Sequence, residues 1–300
     1  MGIELRGVFP PITTPFAADG GLDLGALREN LGKYNATRLA GYVATGSTGE
    51  AVMLTRDEVE RFWAAVREAA APGKILIAGT GAESTAETIE RTNRAAALGY
   101  HAALVKTPHY FKPQMTEDVL AGHFFRVADA AKMPILIYSV PQFTGVAVEA
   151  VLVSRLAEHA NIIGIKESSG NVHRVAEIIH MAPPGFQTLV GSASTFYASL
   201  AVGAVGGILG LACALPEQCV QLFDAGSAGD SDRARELQHR LLDAGTVIVG
   251  RFGVAGVKYA LDQLGYRGGL PRLPLLPLDE KQRAEVDRIL AALSPASARA

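Results

Sequence analysis

Eight short apolar segments, each followed by small or polar residues, recur along the first two thirds of the chain. They follow one another at intervals of about 20–35 residues, the size of a βα unit. Each is continuously apolar rather than alternating, which is typical of parallel strands buried on both faces. We therefore predict eight parallel strands, at residues 7–15, 41–45, 74–78, 102–105, 134–137, 162–165, 187–190 and 204–211.

Helix-start signals lie between several of these segments. Thr55 with Glu58 and Ser84 with Glu87 have the capping-box spacing, and Thr116 precedes another helical pattern. Strands that alternate with helices through right-handed crossovers close naturally into a (β/α)8 TIM barrel. A doubly wound parallel sheet is the structural alternative.

The chain beyond Pro216 is too long for one closing helix. Helical patterns occupy residues 218–223, 231–249, 254–264 and 279–293, with a Gly- and Pro-rich connection at 265–277 and a frayed end at 294–300. We therefore predict a barrel core over residues 1–216 and, over 217–300, the closing helix with a C-terminal helical extension.

Composition narrows the functional class. The 300 residues are 49% hydrophobic and 19% charged, with a net charge of -2. A chain with this charge lacks the electrostatic footprint of a nucleic-acid binder or a polybasic membrane protein. Cys213 and Cys219 lie in an apolar stretch and are expected to be buried free thiols, which favours a reducing compartment. No secretory signal or membrane span is visible, so the cytoplasm is the expected location.

Two lysines stand where a barrel places its chemistry. Active sites of such barrels lie at the carboxyl ends of the strands, and Lys106 and Lys166 each directly follow an aliphatic strand segment. Burial disfavours the charged form of an amine, and the neutral amine is the form that attacks a carbonyl. The competing interpretation is an ion pair, for instance between Lys166 and Glu167. Strand position alone does not distinguish the two lysines.

Other candidate residues follow neighbouring strands. Tyr138 ends the fifth strand as Lys166 ends the sixth, so the two side chains should lie side by side, although an ordinary core tyrosine fits the pattern too. After the second strand, Gly46, Ser47 and Thr48 offer backbone N–H groups and hydroxyls that can converge on a carboxylate. A simple glycine-rich turn explains that loop equally well.

Taken together, the motifs GSTGE, TPHY, YSVP and IKESSG, in this order, resemble the dihydrodipicolinate synthase/N-acetylneuraminate lyase family of class I aldolases, over about residues 7–293. The resemblance implies that Lys166 forms the Schiff base and that Tyr138 is the general acid/base. It implies a proton-relay and carboxylate-binding role for Ser47 and Thr48, and a relay role across a subunit interface for Tyr110. Two further positions, Gly191 and Ile208, match residues that line the pyruvyl pocket.

One departure from the family pattern bears on the substrate. Family members that make dihydrodipicolinate usually have YNVPxRT, whose arginine binds the carboxylate of the aldehyde, whereas Phe143 occupies that position here. An apolar ring cannot form a bidentate carboxylate contact. Further motifs, YSVPxxTG, GTGAEST, LAVGAVGG, LQHRL and RFGVAGVK, resemble 4-hydroxy-2-oxoglutarate aldolases, so we expect cleavage to pyruvate and glyoxylate. The expected partner of the glyoxylate carboxylate is Ser168, Ser139 or a backbone N–H group. Dihydrodipicolinate synthesis and cleavage of 2-keto-3-deoxy sugar acids are the alternatives.

Two rival classes remain at this stage. A metal-dependent aldolase would use carboxylates near the strand ends, but Glu50, Glu83 and Glu167 with His101 and His109 match no ligand spacing that we can name. A non-catalytic keto-acid sensor would have little use for Lys166 beside Tyr138. We expect a small 2-keto acid as the ligand, no metal and no cofactor, no nucleic-acid or membrane partner, and the homotetramer, a dimer of dimers, that the resemblance implies.

Overall fold

The computed structural model describes residues 2–293. Eight parallel strands form one sheet in the order β1-β8-β7-β6-β5-β4-β3-β2. Backbone hydrogen bonds between the ends of this order, from Ile12 N to Val43 O and from Val43 N to Pro10 O (both 3.0 Å), close the sheet into a barrel. The strands are β1 (Gly7–Phe9), β2 (Gly41–Ala44), β3 (Ile75–Gly79), β4 (Ala102–Lys106), β5 (Ile135–Ser139), β6 (Ile162–Glu167), β7 (Gln187–Val190) and β8 (Gly206–Ile208). The TIM-barrel prediction is confirmed, and the doubly wound alternative is wrong.

Helices follow every strand. They are α1 (Leu24–Asn35), α2 (Arg56–Ala69), α3 (Thr85–Ala97), α4 (Glu117–Ala130), α5 (Pro141–Thr144), α6 (Ala150–Leu156), α7 (Val172–Met181), α8 (Phe196–Ala201), α9 (Pro216–Ser227), α10 (Ser231–Asp243), α11 (Gly253–Gln263) and α12 (Glu280–Leu293). The predicted caps are present: Thr55 and Glu58 form a reciprocal capping box, and the side chains of Ser84 and Thr116 accept from the first turns of α3 and α4.

The first and eighth strands are shorter than predicted. Residues 10 and 11 are both prolines, which have no N–H to donate to a ladder, so regular pairing of β1 stops at Phe9. After β8, the apolar run turns into a 3₁₀ helix at Gly210–Cys213. The apolar runs therefore predict which residues are buried, but they do not predict where these two strands end.

Two apolar layers hold the barrel together. Inward-facing residues such as Phe9, Leu136 and Leu189 fill its interior, and a larger cluster fills the space between the strands and the surrounding helices. Trp63 on α2 is among the largest fully buried side chains of the outer layer. Side chains along each strand point alternately into the barrel and towards the helices, so both faces of every strand are buried.

The region beyond residue 216 differs from its prediction at two helices, the first of which, α9, is longer than the predicted 218–223. The single helix expected over residues 231–249 is α10 followed by a π-helical segment, Ala244–Arg251. The frayed end predicted at 294–300 lies outside the described residues, and the division at 216/217 stays a prediction. Cys213 and Cys219 are buried free thiols as expected, and burial raises the pKa of Cys213 to about 12. Within residues 2–293, no helix has both the length and the apolarity needed to cross a bilayer.

Candidate active site

Tyr138 lies between the two candidate lysines at the carboxyl end of the barrel. In the register of the sheet, Tyr138 on β5 is the partner of Lys106 on β4 and of Lys166 on β6. The Lys166 side chain is buried, with 4% of its surface exposed, and its Nζ lies 4.3 Å from the centroid of the Tyr138 ring. Parallel pairing therefore places an amine against a phenol, as the adjacent strand ends predicted.

The partners of the two lysines separate them. Lys106 Nζ donates to Glu83 Oε1 (3.0 Å) and lies 3.2 Å from His109 Nδ1. Lys166 forms no ion pair with any residue in 2–293, and the neighbouring Glu167 instead accepts from the backbone N–H of Ser169 at both oxygens (3.0 and 3.1 Å). The ion-pair interpretation therefore holds for Lys106, and Lys166 is the amine that faces the site without a counter-ion.

Glu83 is the carboxylate that pairs with Lys106 and also binds the loop after β4. Burial opposes its ionisation, but the backbone N–H groups of His109 and Tyr110 and the Lys106 ammonium outweigh burial, and they lower the pKa of Glu83 to about 2. The N–H distances are 2.8 and 2.9 Å. The Glu83 carboxylate thus fixes the backbone of the loop that carries Tyr110.

The loop after β2 brings two hydroxyls to the site. Ser47 Oγ lies 3.2 Å from Tyr138 Oη, within hydrogen-bonding range. Within the described part of the chain, the backbone N–H groups of Ser47 and Thr48 find no acceptor, and both residues line the cavity in front of Lys166. These free donors are suited to a carboxylate, as the sequence interpretation of this loop required.

The same loop is held in an uncommon backbone conformation. Thr45 (φ 55°) and Glu50 (φ 54°) both adopt the left-handed region, which is sparsely populated by residues other than glycine. The Thr45 hydroxyl accepts from Trp63 Nε1 (2.8 Å) and donates to Gly79 O (3.0 Å). The Glu50 carboxylate pairs with the fully buried Lys258 of α11 at 2.5 Å. Contacts at both ends therefore fix Ser47 and Thr48 in place.

Close packing around Gly191 shapes the floor of the site. A Cβ added to Gly191 would lie 2.0 Å from Ser168 Oγ and 3.2 Å from Lys166 Cε, so only glycine fits at this position. Ser168 is buried, and its Oγ has no hydrogen-bond partner among the described residues. A buried hydroxyl without a partner, beside the candidate nucleophile, is available to a bound ligand.

A cavity of about 740 Å³ opens in front of Lys166. Most of the residues predicted from the sequence line it together: Ser47, Thr48, Tyr138, Phe143, Lys166, Ser168, Gly191 and Ile208. Gly46, Tyr110 and the alternative carboxylate partner Ser139 do not. Gly46 lines a second cavity beside Lys106, and Tyr110 is 78% exposed on the surface of the chain. The catalytic and binding roles of all these residues stay predictions.

One wall of the cavity was missed from the sequence. The π-helical segment and the start of α11 contribute Gly245, Thr246, Val249, Gly250, Arg251, Gly253, Val254 and Val257. The motif RFGVAGVK contains half of this wall, but nothing in its spacing indicates that it meets the strand ends. The neutral donors Gln142 and Ser169 at the rim were missed as well.

The residues weighed as metal ligands are not all gathered in one place, although His109 Nδ1 lies 2.7 Å from Glu83 Oε1. Glu50 pairs with Lys258, Glu83 with Lys106, and His101 Nδ1 accepts from the backbone of Leu76 (2.9 Å). Residues 2–293 contain no group of three or more His, Cys, Asp or Glu side chains positioned to hold a metal ion.

Comparison with known proteins agrees with this geometry. The model of the dihydrodipicolinate synthetase family matches residues 4–293. The 4-hydroxy-tetrahydrodipicolinate synthase of Methanothrix thermoacetophila is 37% identical over 290 residues, which cover 96% of this chain and 97% of that protein. The name of this relative corresponds to the alternative activity considered from the sequence, not to 4-hydroxy-2-oxoglutarate aldolase.

Solved structures of other proteins are similar to this chain over nearly its whole length. The dihydrodipicolinate synthase of Aquifex aeolicus has a TM-score of 0.92 at 31% identity and covers 96% of this chain and 98% of its own. That of Acinetobacter baumannii, solved with pyruvate, has a TM-score of 0.91 at 32% identity with the same coverage. The chain therefore belongs to the dihydrodipicolinate synthetase family, and it is a carbon–carbon lyase of the class I aldolase type.

Proposed function

We propose that Lys166 forms a Schiff base with pyruvate and that the enzyme makes or breaks the bond between the pyruvate methyl carbon and an aldehyde carbon. The supporting observation is the buried Lys166 amine, which has no ion-pair partner among residues 2–293 and lies against the ring of Tyr138. Attack of this amine on C2 of pyruvate expels water and leaves an imine, and loss of a proton from C3 then gives the nucleophilic enamine.

Tyr138 and Ser47 provide the proton path in this proposal. The Tyr138 phenol protonates the departing carbinol oxygen of pyruvate and, after carbon–carbon bond formation, the aldehyde oxygen, which becomes a hydroxyl. Ser47, 3.2 Å from the phenol, passes protons to and from Tyr138. The opposite sequence of steps cleaves the bond and releases the aldehyde, as microscopic reversibility requires.

The carboxylate of pyruvate is held by the loop after β2. Three donors of this loop have no acceptor among the described residues: the backbone N–H groups of Ser47 and Thr48, and the Thr48 hydroxyl. All three are available to the pyruvate carboxylate. Within the described part of the chain, no Asp or Glu side chain lines the cavity, so the lining does not repel an anionic ligand. The free hydroxyl of Ser168 lies on the Lys166 side of the cavity, where it can donate to the bound substrate.

Two aldehydes are candidates. The names of the relatives favour aspartate semialdehyde, whose condensation with pyruvate gives 4-hydroxy-tetrahydrodipicolinate. Phe143, at the cavity rim in place of the arginine implied by the family resemblance, favours the smaller glyoxylate, released from 4-hydroxy-2-oxoglutarate. Both aldehydes carry a carboxylate, so the common substrate class is a small carboxylated aldehyde.

One preparation tests both levels of the proposal. Borohydride added with pyruvate should inactivate the enzyme and add a reduced pyruvyl mass to the peptide containing Lys166, whereas Lys166→Arg should take up no label. The same preparation is then assayed for condensation with aspartate semialdehyde and for cleavage of 4-hydroxy-2-oxoglutarate. The higher kcat/KM identifies the aldehyde. Labelling at Lys106, or full activity without labelling, would refute the assignment of Lys166.

The active assembly in this proposal is a homotetramer built from paired dimers, in which Tyr110 enters the site of a neighbouring chain. Tyr110 and Phe111 are exposed, with their rings 5.0 Å apart in an edge-on arrangement. Glu83 holds the backbone of this loop through two hydrogen bonds, so the exposed rings stand on an ordered segment. Ordered exposed aromatic residues are typical of subunit contacts.

A further inference from the structure

The outer wall of the Lys166 cavity carries one guanidinium group. Among the described residues that line the cavity, those of 2–293, only Lys166 and Arg251 have basic side chains. Lys166 is committed to the keto carbon of pyruvate in the proposed function. Arg251 is the last residue of the π-helical segment Ala244–Arg251. Such wide turns recur at functional sites because they displace a side chain from its helical position. Arg251 and Phe143 line the same cavity.

Arg251 is held in place but is not fully engaged. Its guanidinium forms an ion pair with Glu285 of α12 and lies 4.7 Å from the centroid of the Phe252 ring. A guanidinium has five N–H donors in a planar fork, so one carboxylate on one side leaves donors free on the other. The side chain is 54% exposed, so the remaining donors are accessible to a dissolved ligand.

The other residues at the rim cannot supply this charge. Phe143 is apolar and 67% exposed, and Gln142 already donates its amide to Ser168 O (2.9 Å). Ser169 is neutral. The carboxylate of pyruvate occupies the loop after β2 in the proposed function, so a second carboxylate at the far end of the substrate has one cationic partner within the cavity lining, and that partner is Arg251.

We propose that Arg251 binds the carboxylate of the acceptor aldehyde and so selects carboxylated aldehydes over uncharged ones. This inference rests on the proposed function, because it assumes a pyruvate enamine on Lys166 to which the aldehyde is presented. The π-helical segment thereby takes over the task that the family resemblance assigns to the position of Phe143. Glu285 is a positioning residue, which orients the guanidinium from behind and does not touch the substrate.

The test compares KM values at saturating pyruvate. Arg251→Gln should raise KM for aspartate semialdehyde and for glyoxylate by about tenfold, the low end for a charged hydrogen bond, because the guanidinium is half-exposed. The KM for propanal, which has no carboxylate, should change less than twofold, and Arg251→Lys should give an intermediate KM for the charged aldehydes. Arg235→Gln is the matched control: it removes a similarly exposed arginine, ion-paired to Asp232, from α10 outside the cavity, and should change none of these values.

A rescue variant separates recognition from folding. Phe143→Arg in the Arg251→Gln background should lower KM for the carboxylated aldehydes again, because a guanidinium returns to the same rim. Glu285→Gln breaks the ion pair but leaves the guanidinium, so its KM should rise less than that of Arg251→Gln. Equal increases for propanal and the charged aldehydes would show that Arg251 only supports the fold and would overturn the proposal, as would an unchanged KM.

Borohydride trapping with pyruvate distinguishes a failure of the Arg251 proposal from a failure of the proposed function. Every variant should still be labelled at Lys166 at the rate of the unmodified protein, because pyruvate alone does not reach Arg251 in this proposal. Normal trapping with unchanged KM values would reject the role of Arg251 and leave the Schiff base intact. Absence of trapping in the unmodified protein would reject the proposed function itself, together with the inference that rests on it.

Discussion

Lys106 and Lys166 occupy equivalent positions at the ends of their strands, yet their surroundings give them different chemistry. The Lys106 amine donates to the Glu83 carboxylate and is therefore already engaged in an ion pair. Lys166 has no ion-pair partner among residues 2–293; its amine lies against the face of Tyr138, and the missing side chain of Gly191 leaves space beside its Cε. At the scale of single residues, this difference in counter-ion separates the proposed nucleophile from a structural lysine.

The Tyr138 hydroxyl is the residue-scale feature most open to a test. Tyr138→Phe keeps the ring against Lys166 and removes the group bonded to Ser47, so the fold should survive while kcat falls by about 10²–10⁴-fold. Tyr100→Phe is a suitable control, since it removes a buried hydroxyl that bonds Trp63 O away from the cavity, and its kcat should stay within about twofold of the parent. A loss of less than tenfold in Tyr138→Phe would mean that protons travel by another route.

At the scale of elements, the loop after β2 depends on the C-terminal extension. Glu50, in a left-handed conformation, accepts from Arg272 N (2.7 Å) and pairs with Lys258, which in turn donates to Leu270 O (2.9 Å). Burial lowers the pKa of Lys258, and the charge of Glu50 offsets this only in part. The extension thus closes one wall of the cavity and also clamps the loop that carries Ser47.

Breaking this buried pair on one side should be costly. Lys258→Met leaves the Glu50 carboxylate buried without its cation, and we expect a loss of about 3–5 kcal/mol in the free energy of unfolding, measured by urea denaturation. The double variant Glu50→Gln/Lys258→Met should regain much of that loss, because no lone charge remains. Arg28→Met, which breaks the exposed pair with Glu68, should cost less than about 1 kcal/mol. A similarly small loss for Lys258→Met would contradict the clamp.

At the scale of the whole molecule, the chain presents ordered apolar residues that its own fold leaves uncovered. Tyr110, Phe111 and Val52 are all largely exposed, and His109 and Val52 line the second cavity, beside Lys106. In the proposed assembly, this surface meets another chain and Tyr110 completes the neighbouring proton path.

Light scattering at assay concentration should therefore give a multiple of the 31.5 kDa chain mass. Phe111→Asp should shift the mass towards the single chain and lower kcat, because a charge would replace the ring at the proposed subunit contact. Leu242→Asp, at an exposed apolar position on α10, is the control and should keep the assembly. A single chain with full activity would refute both the assembly and the shared tyrosine.

The sequence by itself determined the barrel and the centre of its site. Continuous apolar runs and local capping signals at Thr55, Ser84 and Thr116 depend on nearest neighbours along the chain, so strands and helices could be predicted from them. Parallel pairing of consecutive strands then places Tyr138 beside Lys166 without further information. The residue types and the topology were sufficient to predict that the candidate lysine and tyrosine meet at this edge of the barrel.

Only the tertiary structure decided which lysine is free and what closes the cavity. Glu83 precedes Lys106 by 23 residues and reaches it through the packing of two βα units, whereas Glu167, next in sequence to Lys166, turns to Ser169 instead. Arg251 lines the cavity at the end of a helix that widens to π geometry. The spacing of hydrophobic residues along the chain does not predict such a widening. Contacts of this kind depend on long-range packing, and the local pattern of the chain carries no information about it.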